Sequence, residues 1–208
     1  MLKINQLQVR LGSCQLSYQL EVSAGEILAI QGRSGVGKSS LLHCIAGFIA
    51  ATSGSIHWQD RELCSEPAER RPVSLLFQDH NLFEHLSVQQ NLQLGFEQNV
   101  PWDAIEQAAV ELEVAQLFSS RPGNCSGGQR QRIALIRTLL RPEPIVLLDE
   151  PFAALGPALK AEMLDLVAEV LNDTGAGLLM VSHDPQDARR IATQTILVAE
   201  GVAQAPTG

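Results

Sequence analysis

Apolar and polar residues alternate through Leu16, Tyr18, Leu20 and Val22, the pattern of a strand with one buried face. Met1-Leu2-Lys3-Ile4-Asn5 alternates in the same way and reads as an opening strand. Residues 27–30, 73–77, 145–148, 178–181 and 196–199 are short apolar runs of strand length, the last reading as the final strand. Between them the period becomes helical. Residues 39–46 have helical composition, and Gly47 is placed to end that helix. Residues 87–118 also turn helical, with Pro101 at a first helical position and Ile105, Ala108, Leu112 and Ala115 on one face. Ser126 opens a helix carrying Ile133, Ile136 and Leu140. Pro157 opens another, carrying Leu159, Met163, Leu166 and Val170, and Pro185 opens a short one. Ala24-Gly25 and Ser53-Gly54 read as turns.

Strands alternating with helices predict an α/β fold around a mostly parallel central sheet, with the opening strands as its antiparallel β part. The helical middle reads as an insertion. The expected division is one domain whose core spans 1–82 and 142–208, with an inserted α-helical subdomain at 83–141. At 208 residues the chain is long enough to bury a substantial core. No apolar run approaches the ~20 residues that span a bilayer, so a membrane role is expected to pass through a partner. The N-terminus lacks the basic and apolar blocks of a signal peptide. A net charge of −8 argues against a dedicated nucleic-acid binder, and no nucleic-acid partner is expected. Cys14, Cys44, Cys64 and Cys125 form no CxxC pair and read as structural residues in a reducing compartment.

Three stretches carry chemistry. Gly32-Arg33-Ser34-Gly35-Val36-Gly37-Lys38-Ser39 matches G-x-x-x-x-G-K-[ST], with Ser40 behind it, an apolar strand leading in and a helix leading out. Glycines let the backbone curl so that successive N–H groups face phosphate oxygens, and the helix start adds its positive end. Lys38 is expected on the β- and γ-phosphates of ATP, and the Ser39 hydroxyl on Mg²⁺. Second, the run 145–148 ends in Asp149-Glu150. The first carboxylate suits Mg²⁺ and the second suits a general base for water. Third, Ser126-Gly127-Gly128-Gln129 places a serine and a glycine pair at a helix start, which offers a hydroxyl and free N–H groups to an anion. An ordinary N-cap with a flexible lead-in would look the same.

These three stretches, in the chain order phosphate loop, Ser126–Gln129 and Asp149-Glu150, resemble the ATP-binding subunits of ABC transporters, and the resemblance covers essentially the whole chain. It implies a P-loop NTPase core of RecA type. It identifies Gln78 with the family's Q-loop glutamine, which touches Mg²⁺ and the attacking water. His183 matches the switch histidine, which contacts the γ-phosphate. His43, His57, His80 and His85 have no such match and read as structural or surface residues. The resemblance further implies a head-to-tail dimer with a second copy on ATP binding, each ATP lying between one copy's phosphate loop and the other's Ser126–Gln129 signature. It implies integral membrane permease subunits, indirectly a solute-binding protein, and a peripheral place on the cytoplasmic face of the bacterial inner membrane.

Residues 70–88 and the tail from Leu179 to Ala199 are similar to ATPases of bacterial thiamine importers, which implies thiamine or its phosphates as cargo. Other small-solute importers, exporters and an ATP-binding regulatory subunit with little hydrolysis are the alternatives. The chain departs from the family pattern in three places. Cys125 stands where leucine is usual, Gly156 where aspartate is usual, and Val9-Arg10-Leu11-Gly12 lacks the aromatic residue that stacks on adenine. The expected consequences are a packing change, altered coupling between the two sites and looser base selectivity.

Overall fold

The computed structural model describes residues 1–204 apart from His80, Glu97, Ala154 and Glu200. The strands are β1 (Leu2–Leu11), β2 (Cys14–Val22), β3 (Ile27–Gln31), β4 (Ser53–Trp58), β5 (Arg61–Glu62), β6 (Val73–Leu76), β7 (Ile145–Asp149), β8 (Gly177–Val181), β9 (Gln194–Ala199) and β10 (Val202–Gln204). The helices are α1 (Lys38–Ile45), α2 (Val88–Gln93), α3 (Trp102–Glu111), α4 (Gly127–Leu139), α5 (Pro157–Thr174) and α6 (Pro185–Ile191). The strands join in one sheet ordered β5-β4-β1-β2-β10-β9-β3-β8-β7-β6. The β9-β3-β8-β7-β6 half is parallel, and β5-β4-β1-β2 is antiparallel.

The continuous apolar runs follow from burial on both faces of the parallel half. Alternate side chains of β7 and β8 serve two cores. Val146, Leu148, Leu178 and Met180 pack with α2, α3, α4 and α5. Ile145, Leu147, Leu179 and Val181 pack with α1 and the antiparallel strands. The β1 and β2 alternation matches their single buried face.

Several details differ from the sequence reading. Ser53 and Gly54 lie inside β4 and not in a turn. The β1–β4 register shifts between Asn5 and Gln8, and Gly54 opposes that irregularity with a φ of 85°. A Cβ there would come 2.3 Å from the Gln6 carbonyl oxygen, so the glycine marks a bulge inside the strand. The helical stretch is broken: α2 ends at Gln93, and Ala115 lies in a 3₁₀ turn past α3. Pro101 is the N-cap of α3, one residue before the first helical position. Finally, β10 follows β9 and pairs in parallel with β2, joining the two halves of the sheet.

Candidate functional site

The phosphate loop leaves β3 and enters α1. Gly37, the N-cap, has a φ of 106° and makes no side-chain cap. A Cβ at Gly37 would lie 2.9 Å from Leu16 Cδ1 and from Tyr18 Oη, so only glycine fits against β2. The first helical bond runs from Leu41 N to Gly37 O. The N–H groups of Lys38, Ser39 and Ser40 therefore precede the helical ladder and are free for an anion. Lys38 donates through Nζ to the Gly32 and Arg33 carbonyls, both at 2.9 Å. An ammonium has three donors, so one remains for a phosphate oxygen.

Asp149 ends β7 beneath the loop. Its Oδ1 accepts from Ser39 Oγ at 3.0 Å, which brings together two hard oxygen donors. Burial pushes the Asp149 carboxyl up against the opposing pull of Ser39, His43, Lys38 and His183. Glu150 follows with a φ of 50°, a left-handed backbone held by its N–H on Val181 O at 3.0 Å. Burial raises its pKa as well; His183 and Lys38 oppose the shift and Asp149 adds to it. Lys38 is shifted down by burial, against the pull of Glu150 and Asp149.

His183, after β8, is exposed, with Nε2 2.9 Å from Glu150 Oε1 and its backbone N–H donating to Oε2 at 3.3 Å. The Nε2 contact is close but not an aligned hydrogen bond. Oε1 is thus a buried acceptor without an aligned donor among the described residues. Ser34, Gly35, Gly37, Lys38, Ser39, Ser40, Gln78, Glu150 and His183 line one cleft of about 210 Å³. The expected site residues from the loop, β6, β7 and β8 therefore converge, since parallel strands deliver their C-terminal ends to the same edge.

The Ser126–Gln129 signature does not reach that cleft. Gly127 lines a neighbouring one of about 560 Å³ with Gln78, Arg130, Gln131 and Glu150. The ordinary N-cap role is present: Ser126 Oγ accepts from Gln129 N at 3.2 Å, and Gln129 Oε1 accepts from Ser126 N at 2.8 Å. The serine–glutamine spacing was the signal for this capping box. The Ser126 hydroxyl keeps its own proton to donate, and a Cβ at Gly127 would meet nothing within 4 Å. Gln131 Nε2 donates to Pro151 O at 3.0 Å, tying α4 to the chain after Glu150. Cys125 is buried, which fits a small apolar residue in leucine's place.

Tyr18 is a participant that the alternation placed in the core without a role. It is fully buried, and its Oη donates to Gly37 O at 2.7 Å, fixing the phosphate loop from behind. Burial pushes its hydroxyl pKa upward, so it stays a donor. His43 sits beside the Phe48 and Phe77 rings, and His85 against Phe83. His80 lies outside the described residues, as does Ala154 in the stretch between Glu150 and Gly156. Among the described residues no three His, Cys, Asp or Glu side chains converge as a metal cage. A Mg²⁺ shared with substrate phosphates needs only one or two protein oxygens, and the adjacent Ser39 and Asp149 could supply them.

A strand, a glycine-curled loop and a helix start that present N–H groups and a lysine define a P-loop nucleotide-binding protein. Residues 16–153 match the family model described as ABC transporter. The chain is 52% identical to the thiamine import ATP-binding protein ThiQ of Cereibacter sphaeroides, over 99% of this chain and 91% of that one. It is 46% identical to ThiQ of Escherichia coli, over 97% and 89%. Among solved structures it resembles an ATP-binding subunit of an ABC transporter, with a TM-score of 0.89 at 23% identity over 99% and 88% of the two chains. It also resembles a bacterial ABC transporter cassette solved as a dimer, with a TM-score of 0.86 at 23% identity over the whole of both chains. The chain belongs to the ABC transporter family as an ATP-binding subunit, an ATPase whose hydrolysis is coupled to transport.

Proposed function

We propose that this chain energises the import of thiamine or its phosphates. The observation that carries the reading is identity at about half of all positions, along nearly the whole chain, with ATPases named for thiamine import. Its own residues account for the hydrolytic half. The loop N–H groups and Lys38 hold the ATP phosphates. Ser39, Asp149 and Gln78 would hold Mg²⁺, which would neutralise phosphate charge. Glu150, its pKa raised by burial and its Oε1 lacking an aligned donor among the described residues, takes the proton of the attacking water. His183 and Gln78 orient that water and the γ-phosphate. The free donors of Ser126, Gly127 and Gly128 complete the site of a second copy, which is consistent with their absence from this chain's own phosphate cleft.

Residues 83–141 form the helical subdomain that carries these donors. No helix of the described residues is long and apolar enough to cross a membrane. The permease docks on a groove of about 460 Å³ between α1, β6 and α4, where Phe48, Phe83 and Leu94 are exposed beside Arg137 and Arg141. The subunit then sits on the cytoplasmic face of the bacterial plasma membrane. Reconstitution with the permease and solute-binding protein in proteoliposomes tests the cargo. ATP-dependent uptake of labelled thiamine is expected; vigorous ATP hydrolysis without thiamine uptake would overturn the assignment.

A further inference from the structure

A charged cluster outside the phosphate cleft brackets His183. Lys160, on the first turn of α5, is partly buried, with Nζ 2.6 Å from Asp184 Oδ2. Asp187 Oδ1 lies 2.5 Å from the same Nζ, a contact of charge and not an aligned hydrogen bond. Asp187 is 1% exposed, and its Oδ2 accepts from Ser182 Oγ at 2.5 Å. That hydroxyl in turn accepts from Asp184 N at 3.1 Å. The contacts close a ring: Lys160, Asp184, Ser182, Asp187 and back to Lys160. Ser182 and Asp184 are the two neighbours of His183, so the ring fixes the backbone on both sides of it. The histidine backbone then has its N–H on Glu150 and its ring against Glu150 Oε1.

The other end of the tie is also informative. Lys160 N donates to Gly156 O at 3.0 Å, the first i→i−4 bond of α5, which sets the lysine on its opening turn. The loop that supplies His183 is thereby held against the first turn of α5. A surface pair would have no such consequence. Here a nearly inaccessible carboxylate needs the lysine, and through Ser182 that carboxylate holds the histidine loop.

We propose that Lys160 is a positioning residue for ATP hydrolysis, acting through Asp187 and Asp184 to hold His183 against Glu150. This rests on the reading of Glu150 and His183 as the water-activating pair. The test uses the assembled transporter and compares Lys160→Arg, the double variant Lys160→Met/Asp187→Asn and His183→Ala. The double variant removes both charges, so no buried carboxylate is left alone and the amide oxygen can still accept from Ser182. Its kcat should fall about ten- to a hundredfold, the scale of a misplaced reacting group, with KM for ATP and melting temperature close to the parent values. Lys160→Arg should restore most of the rate. A double variant with the parent kcat, or one in which kcat and melting temperature fall while KM rises, would overturn the positioning role. If His183→Ala loses activity while the double variant does not, only this proposal fails. If His183→Ala retains full activity, the reading beneath it fails as well.

Discussion

Removing one oxygen, by Tyr18→Phe, isolates the support behind the phosphate loop. Gly37 O accepts two hydrogen bonds, from Tyr18 Oη at 2.7 Å and from Leu41 N at 3.1 Å. The substitution leaves the carbonyl with its helical bond only, so a neutral buried bond is lost without a fully orphaned acceptor. The cost is about 1 kcal/mol. For a chain of this length that lowers the melting temperature by about 2–4 °C. If the bond also holds the loop in its binding shape, ATP affinity falls by up to about fivefold. Thermal melts with and without ATP, together with titration of a fluorescent ATP analogue, separate the two effects. A melting temperature unchanged to within about 1 °C, with unchanged affinity, would refute the argument that Tyr18 braces the loop.

Three further outcomes follow from the site. Lys38→Ala removes charge-assisted bonds to the loop and to phosphate, and ATP affinity should drop about ten- to a hundredfold by titration calorimetry; unchanged binding would contradict the loop assignment. Gly156→Asp places a side chain where the backbone is ordinary and extended, with ψ of 159° at the N-cap of α5, and a Cβ meets nothing within 4 Å among the described residues. The variant should gain a few tenths of a kcal/mol from capping and show raised or more cooperative ATPase activity in the assembled complex; no change in either rate or cooperativity would show the glycine to be without consequence. Glu150→Gln should melt higher than the parent at about pH 8, with the gap closing toward acid. The raised pKa of Glu150 means the unfolded chain releases its proton first as pH rises, so the parent loses stability through that window and keeps it below. A gap that widens toward acid would contradict the burial of this carboxylate.

The chemistry of the site was legible in the sequence because it resides in short contiguous runs. Gly32–Ser39, Asp149-Glu150 and Ser126–Gln129 each carry their own backbone logic, and strand polarity brings the first two together. What escaped depends on contacts between distant parts of the chain. Tyr18 reads as a core residue of an alternating strand, and nothing local links it to Gly37. Lys160, Asp184 and Asp187 look like ordinary helix-end charges until α5 and α6 are packed side by side. Gly54 reads as a turn because glycine favours turns; its place in a bulge is set by its partner Gln6 across the sheet. The helical pattern of 87–118 does not mark the break between α2 and α3, because the period survives it.

In the proposed function this chain holds half of a composite ATP site. The most direct measurement is the mass of Glu150→Gln in solution, with and without ATP, by analytical ultracentrifugation. A monomer is expected without nucleotide and a dimer with ATP, lost when Lys38→Ala or Ser126→Arg is added. A variant that binds ATP yet stays monomeric at saturation, or that dimerises equally well without it, would rule out the composite site.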